Sequence, residues 1–287
     1  MARAMIQYPL GAAGTLTRVL EAGRGDKTML LVHGVGARAD RWRRNLEGLA
    51  DAGYHVFAVD LPGHGLAEKG YRFDHSVPNY AAFARAVLDE VGADQAVLVG
   101  TSLGGHILAT VACETPERVA ALVMVGTLGM APIGPEARER TAGLIGDASP
   151  EMVDRKLRTV LHDDSLVTAE MHREEVRINN SPGAAEAFEG ISDYFANRID
   201  DDVVGERLAA LGDRFPVLLV WGREDLGFPL SMGEAAHEML AGSRLAIMDN
   251  AAHGPYFERP ATFNAIVTQF LSGRLGDEPL EGVELRG

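Results

Sequence analysis

The chain has 287 residues, 46% of them hydrophobic and 24% charged, with a formal net charge of −14. That composition is globular, and the length suits one large α/β domain carrying an insertion. With 41 acidic against 27 basic residues no basic face is implied, so neither nucleic acid nor an acidic membrane surface is expected as a partner.

Four short apolar runs, at 29–32, 55–59, 95–99 and 121–125, read as strands. Each is apolar almost throughout, without in–out alternation, as in strands covered on both faces. Helical patterns at 41–52, 79–91 and 103–114 separate them, which is the rhythm of repeated βα units and a mostly parallel sheet. The rhythm stops after Val125. Five helical patterns follow, at 135–146, 150–161, 168–179, 184–195 and 200–211, with no central strand among them. Residues 131–210 carry 17 acidic and 9 basic side chains, more than half the chain's excess, and read as solvated helical faces. Strands return at 216–221 and 244–248, with helices at 231–240 and 260–271. The expected organisation is an α/β core in two parts, 1–130 and 212–272, interrupted by a helical insert at 131–211 and followed by a tail, 273–287, that frays. The insert would sit over the carboxyl ends of the strands, where open α/β sheets bind ligands.

No apolar stretch approaches the roughly 20 residues of a membrane span, and residues 1–9 lack the charged-then-apolar pattern of an export leader. The single cysteine, Cys113, reads as a small buried hydrophobe, and a cytoplasmic protein is expected. Nine histidines are scattered, with no His-Glu-x-x-His and no cysteine pair, so neither metal nor organic cofactor is expected. A homodimer is expected on base rates alone.

The strongest local signal is Gly100-Thr-Ser-Leu-Gly104, between the strand at 95–99 and the helix at 103–114. A serine on such a turn has its hydroxyl thrust outward, and glycines leave room around it. A nucleotide-binding reading fails, because these glycines do not make Gly-x-Gly-x-x-Gly and no Gly-Lys-Ser/Thr follows. Ser102 needs a base, and the base needs an orienting group. His253 lies just past the strand at 244–248, and Asp225 just past the strand at 216–221, with Glu224 as a competing carboxylate. The order Ser, Asp, His is that of an α/β-hydrolase triad. The amides of Leu103 and of Val35, in His33-Gly34-Val35-Gly36, are the expected oxyanion donors. His33 and His64 read as loop-bracing residues, and His106 and His237 as structural or exposed.

From about 28 to 271 the chain resembles the α/β-hydrolase superfamily, on His33-Gly34, Asp60-Leu-Pro-Gly-His-Gly65, Gly100-Thr-Ser-Leu-Gly104, Gly222-Arg-Glu-Asp225 and His253. The stretch from Leu161 to Glu170, and His253-Gly-Pro-Tyr-Phe-Glu258 with Phe263-Asn264, are similar to the meta-cleavage product hydrolases, which cut carbon–carbon bonds in ring-fission products of aromatic catabolism. The substrate-binding set departs from that group. Thr101 replaces the usual asparagine beside the nucleophile, Gly254 the usual tryptophan after the histidine, and Arg43 an asparagine near Trp42. Glu175 stands where that group carries a carboxylate-binding arginine, with Arg173 and Arg177 nearby. The resemblance therefore implies a serine hydrolase of a small ester or lactone, acting through an acyl-enzyme. Its alternative is carbon–carbon cleavage of 2-hydroxy-6-oxo-dienoates, with Arg43, Arg173 or Arg177 as the cationic partner and Gly34, Thr101 and Gly254 lining the substrate site.

Overall fold

The computed structural model describes residues 4–70 and 72–287; residues 1–3 of the stretch read above for a leader lie outside the described residues. The chain opens with an antiparallel hairpin, β1 (Ile6–Ala12) and β2 (Thr15–Ala22), closed by Ala13 and Gly14 at φ 50° and 72°. Positive φ at both turn residues suits the twist of the flanking strands. The sequence reading has no strands here, because β1 is largely exposed and carries Pro9 and Gly11 instead of a continuous apolar run. The βα alternation then follows as read: β3 (Lys27–Val32), α1 (Arg43–Asp51), β4 (Tyr54–Val59), α2 (Val77–Glu90), β5 (Ala96–Thr101), α3 (Leu103–Glu114) and β6 (Val119–Val125).

Beyond β6 the chain builds α4 (Pro135–Gly146), α5 (Pro150–Val160), α6 (Ala169–Asn179), α7 (Ala184–Asn197) and α8 (Gly205–Ala209) before the next strand. The helix read at 200–211 is replaced by a 3-10 turn, Ile199–Asp202, and the short α8. Asp200 turns its carboxylate to the amides of Ile133 and Gly134 (2.8 and 3.0 Å), which fixes a turn there. The chain closes with β7 (Val217–Gly222), α9 (Leu230–Met239), β8 (Arg244–Met248), α10 (Pro255–Glu258), α11 (Pro260–Leu271) and β9 (Val283–Arg286).

The last strand corrects the expectation that 273–287 frays. β9 pairs antiparallel with β8, from Leu245↔Arg286 to Met248↔Val283. Val283 and Leu285 pack on the core, and Arg259 donates to the carbonyls of Gly282 and Glu281 at 3.1 and 2.8 Å. Alternating apolar side chains and one arginine clamp hold a tail whose composition alone reads as loose. Cys113 is half-buried, packed against the core rather than within it.

Among the described residues the sheet has nine strands in the order β1-β2-β4-β3-β5-β6-β7-β8-β9, parallel from β4 to β8 and antiparallel at both ends. Period-two alternation sorts its side chains into two cores. Leu30, Val32, Leu98, Leu219 and Trp221 face α2, α3 and α9, while Met29, Leu31, Val97, Val99, Leu218 and Val220 face α1 and α11. Strand order reverses between β3 and β5, whose following loops diverge and leave a crevice at their carboxyl ends. His33–Ala37 and Ser102 lie on those two loops.

Four buried histidines brace this end of the sheet. His33 Nε2 accepts from the Leu61 amide (2.9 Å), which leaves Nδ1 to donate to Gly34 O (2.8 Å). His64 sits against Pro62 O (3.1 Å) and the Phe188 ring, His75 against Tyr80 Oη (2.8 Å), and His106 against Asp202 O (2.8 Å). The first two fit the loop-bracing reading. Burial pushes all four below the ordinary histidine range, His64 furthest. The unfolded chain protonates them below about pH 6.5, whereas the folded chain holds them neutral, so stability is full above that pH and is lost as pH falls. Each contributes up to about 1.4 kcal/mol per pH unit there. Thermal melting is expected to drop steadily from pH 7 to pH 5; a flat melting temperature over that interval would contradict the assignment of buried neutral rings.

Candidate active site

Ser102 leaves β5 at φ 54°, ψ −119°, the strained backbone of a tight strand-to-helix turn. Such a conformation costs about 1–3 kcal/mol for a non-glycine residue. It is held by hydrogen bonds from Ser102 N to Val125 O (2.9 Å), and to Ser102 O from the amides of His106 (3.2 Å) and Leu128 (3.3 Å). The flanking glycines are required by space. A Cβ on Gly100 would lie 2.3 Å from Gly104 O, and one on Gly104 would lie 2.4 Å from Val32 O. A Cβ on Gly34 would come within 2.9 Å of Ser102 Cβ, so the β3 loop passes directly over the serine.

The two candidate carboxylates make different contacts. Asp225 is 4% exposed, and its Oδ2 accepts from His253 Nδ1 at 2.6 Å. Its Oδ1 accepts from the amides of Gly227 (3.0 Å) and Phe228 (2.8 Å), so the carboxylate is fixed by its own loop. Glu224 instead accepts from the Ala251 amide at 3.0 Å and braces the loop that carries His253. The His253 ring stacks on Phe228, centroids 4.7 Å apart. Gly126 passes behind it, where a Cβ would lie 2.9 Å from His253 Nδ1.

Ser102, Asp225 and His253 open on one cavity of about 840 Å³, together with Gly34, Val35, Thr101 and Gly254. Thr101 is buried beside Tyr256, whose phenol hydrogen-bonds with it and is pushed up to about 12 by burial. A Cβ on Gly254 would sit 3.1 Å from Leu161 Cδ2, so the glycine leaves that space to the α5–α6 connection. Leu103, the other expected oxyanion donor, is buried at the start of α3 directly after Ser102. From 131–211, Leu144, Leu161 and Phe195 line the cavity, while Val176 is half-buried and outside it.

The three arginines proposed from sequence to meet an anion are not brought to the cavity. Arg43 is exposed and paired with Asp40 and Gln7. Arg173 and Arg177 are exposed on α6, four residues apart on one face, while Glu175 and Asn179, likewise four apart, face inward. The cavity's basic side chains are Arg41, Arg140, Arg155 and Lys156. Arg41 was missed because it falls at the start of a helical pattern and reads as surface; in the structure a 3-10 turn, Ala39–Trp42, turns it inward. Lys156 is half-buried and donates to Asp147 O. Around Arg41 lies an ion cluster, buried except for Glu174. Arg38 pairs with Glu175, with Glu174 (2.7 Å) and with Asp40 (2.9 Å); Arg18 joins Asp40 to Asp60 (2.9 Å); and Arg41 lies 3.5 Å from Glu175. No sequence pattern announces this cluster, since its members come from β2, two loops and α6.

Residues 27–260 match the family model of the alpha/beta hydrolase fold, and the chain belongs to that family. It is a serine-dependent hydrolase, and its relatives include the meta-cleavage product hydrolases. It is 31% identical over 264 residues to the 2-hydroxy-6-oxononadienedioate/2-hydroxy-6-oxononatrienedioate hydrolase of Paraburkholderia phymatum, covering 88% of this chain and 89% of that one. It is also 31% identical over 261 residues to the dihydrolipoyllysine-residue acetyltransferase component of the acetoin cleaving system of Cupriavidus necator, covering 91% of this chain and 67% of that one. Among solved structures, the meta-cleavage product hydrolase of Pseudomonas fluorescens IP01 superposes with a TM-score of 0.82 at 25% identity, covering 93% of this chain and 97% of that one.

Proposed function

We propose that the chain hydrolyses the carbon–carbon bond beside a ketone in 2-hydroxy-6-oxo-dienoate compounds, with Ser102 as nucleophile, His253 as base and Asp225 as its orienting group. The observation that carries this reading is the cavity itself. In a chain of net charge −14, the cavity that holds Ser102 is lined by four basic side chains, Arg41, Lys156 and the more exposed Arg140 and Arg155, against two carboxylates, Glu175 and Asp225, a positive balance suited to a substrate with a carboxylate. The Paraburkholderia relative, a 2-hydroxy-6-oxononadienedioate/2-hydroxy-6-oxononatrienedioate hydrolase, points the same way.

In the proposed reaction His253 helps shift the enol proton to carbon, giving the keto tautomer. Ser102 Oγ then adds to the distal carbonyl as His253 takes its proton. The amides of Val35 and Leu103 hold the oxyanion, a contribution of several kcal/mol in transition-state binding. The bond between that carbon and its neighbour breaks, its electron pair passing into the dienolate, which His253 protonates. Water activated by His253 releases the acyl group from Ser102 as a carboxylic acid. The helices α4–α8 serve as the lid that shapes the cavity, a role supported by Leu144, Leu161 and Phe195 in its wall.

Ester or lactone hydrolysis is the second reading. It is favoured by Thr101 and Gly254, and by Glu175, which places a negative charge in the wall. A steady-state comparison separates the two. One arm follows the loss of visible absorbance of 2-hydroxy-6-oxo-dienoates; the other uses short p-nitrophenyl esters and simple lactones. An advantage of about 100-fold or more in kcat/KM for the dienoates is expected, roughly 2.7 kcal/mol of preferential transition-state binding. Equal or better turnover of the esters would reverse the ranking.

A further inference from the structure

We infer that Arg41 is the residue that receives the substrate's carboxylate, and that Glu175 is its built-in competitor. The inference rests on the reading above only in taking a carboxylate to be part of the substrate. The two guanidinium groups beside Glu175 are unequal. Arg38 is saturated, with Asp40, Glu174 and Glu175 all within ion-pairing distance, and its side chain is 6% exposed. Arg41 is nearly as enclosed, its side chain 11% exposed, yet its contacts are loose: Met171 Sδ at 3.7 Å, Glu175 Oε1 at 3.5 Å, and the face of Phe257 at 5.7 Å. Among the described residues its guanidinium makes no hydrogen bond to an oxygen. A guanidinium carries five N–H donors in a planar fork that matches a carboxylate. Such a group, loosely held and lining the cavity that holds Ser102, has donors to offer an acceptor that enters the cavity.

The surrounding charges explain how Arg41 stays available. Glu175 Oε2 is taken by Arg38, so only Oε1 faces Arg41, and at a distance too long for a good hydrogen bond. Asp40 and Asp60 are held by Arg18, Arg38 and Arg43. An incoming carboxylate therefore displaces one weak contact and gains a bidentate one. Tyr256, which is buried, and Phe257 line the same cavity, and an ion pair formed beside such apolar rings is stronger than one in open water.

The test needs no turnover. Calorimetric binding of hexanoate and of its neutral isostere hexanamide is compared on the full chain. Hexanoate is expected to bind about tenfold or more tightly than the amide, as for a charge-assisted pair. Arg41→Gln should bring the two within about threefold, and Arg41→Lys, which keeps the charge but loses the fork, should fall between. Glu175→Gln should act in the opposite direction, tightening hexanoate several-fold and leaving hexanamide unchanged, because it removes the competing charge. That gain of affinity cannot come from a damaged fold, so the proposal stays testable even if Arg41→Gln melts early. Equal binding of acid and amide to the unaltered chain would overturn the proposal. So would a preference that survives Arg41→Gln and disappears in an Arg140→Gln, Arg155→Gln double variant. Failure of the dienoate assay leaves this binding experiment untouched, and equal binding of acid and amide leaves the dienoate assay on the unaltered chain untouched, so the two readings fall separately.

Discussion

Ser102→Ala is expected to lower kcat by about 10⁴-fold or more on any substrate the chain turns over, with little change in melting temperature. The expectation rests on the turn. Ser102 is held at φ 54° by three backbone hydrogen bonds and by glycine spacing on both sides, none of which involves its hydroxyl. Alanine meets the same backbone penalty as serine, so the variant keeps the fold and loses only the oxygen. A backbone strained at a side chain that lines the cavity beside His253 has no packing purpose to explain it. The chemical counterpart is covalent labelling. An organophosphonate ester should add a single adduct to the unaltered chain, mapped to Ser102 by mass spectrometry, and none to the alanine variant. Undiminished labelling of Ser102→Ala would move the nucleophile elsewhere.

The residues that were legible in the sequence are those whose chemistry demands a local backbone. Gly100, Gly104 and Ser102 announce their turn because only that residue set fits it, and His253 and Asp225 announce themselves by following apolar strands. Residues whose role comes from the far side of a tertiary contact were not legible. Arg18, on a strand the apolar-run criterion passes over, turns out to join Asp40 and Asp60 beneath the site. Arg41 and Arg43 are two residues apart and chemically identical, yet one lines the cavity and the other faces solvent. Nothing short of the helix phase distinguishes Glu175 from Arg173 and Arg177.

The structure also explains why the family likeness said more about architecture than substrate. Glu258 accepts from the amides of Ala252 (2.8 Å), His162 (2.6 Å) and Asp163 (3.2 Å), clamping the His253 loop to the α5–α6 connection, and Gly254 N donates to Val160 O (3.0 Å). Asn264 exchanges hydrogen bonds with Asn45 (3.0 and 3.2 Å) and fits against Gly48, locking α11 to α1. Both sequence stretches that carried the likeness are thus joints between elements. A joint can be kept while side chains in the wall of the cavity change, so likeness at these joints constrains the architecture and leaves the lining at Thr101 and Glu175 free to differ.

Asp225→Asn is expected to lower kcat by roughly 10⁴-fold, while Glu224→Gln changes it little, and the reason lies in which atoms are already committed. Asp225 Oδ1 accepts two amides, Gly227 N and Phe228 N, both from its own loop. An asparagine at this position keeps those bonds only by placing its single oxygen there. Its NH₂ group must then face His253 Nδ1, at the position where Oδ2 now accepts at 2.6 Å. A donor facing a donor is untenable, so the imidazole shifts its proton from Nδ1 to Nε2 and presents an N–H, rather than a lone pair, on the side opposite Asp225. A ring in that tautomer cannot take the serine proton. The isosteric change leaves the Phe228 stack in place, so melting should stay close to that of the unaltered chain and KM should move far less than kcat. Glu224→Gln retains an oxygen for the Ala251 amide, so the loop that carries His253 keeps its brace. Steady-state turnover of an activated ester or a dienoate by the two variants decides between the carboxylates. Reversal of their order would transfer the orienting role to Glu224, and equal mild losses would show that His253 is held without either.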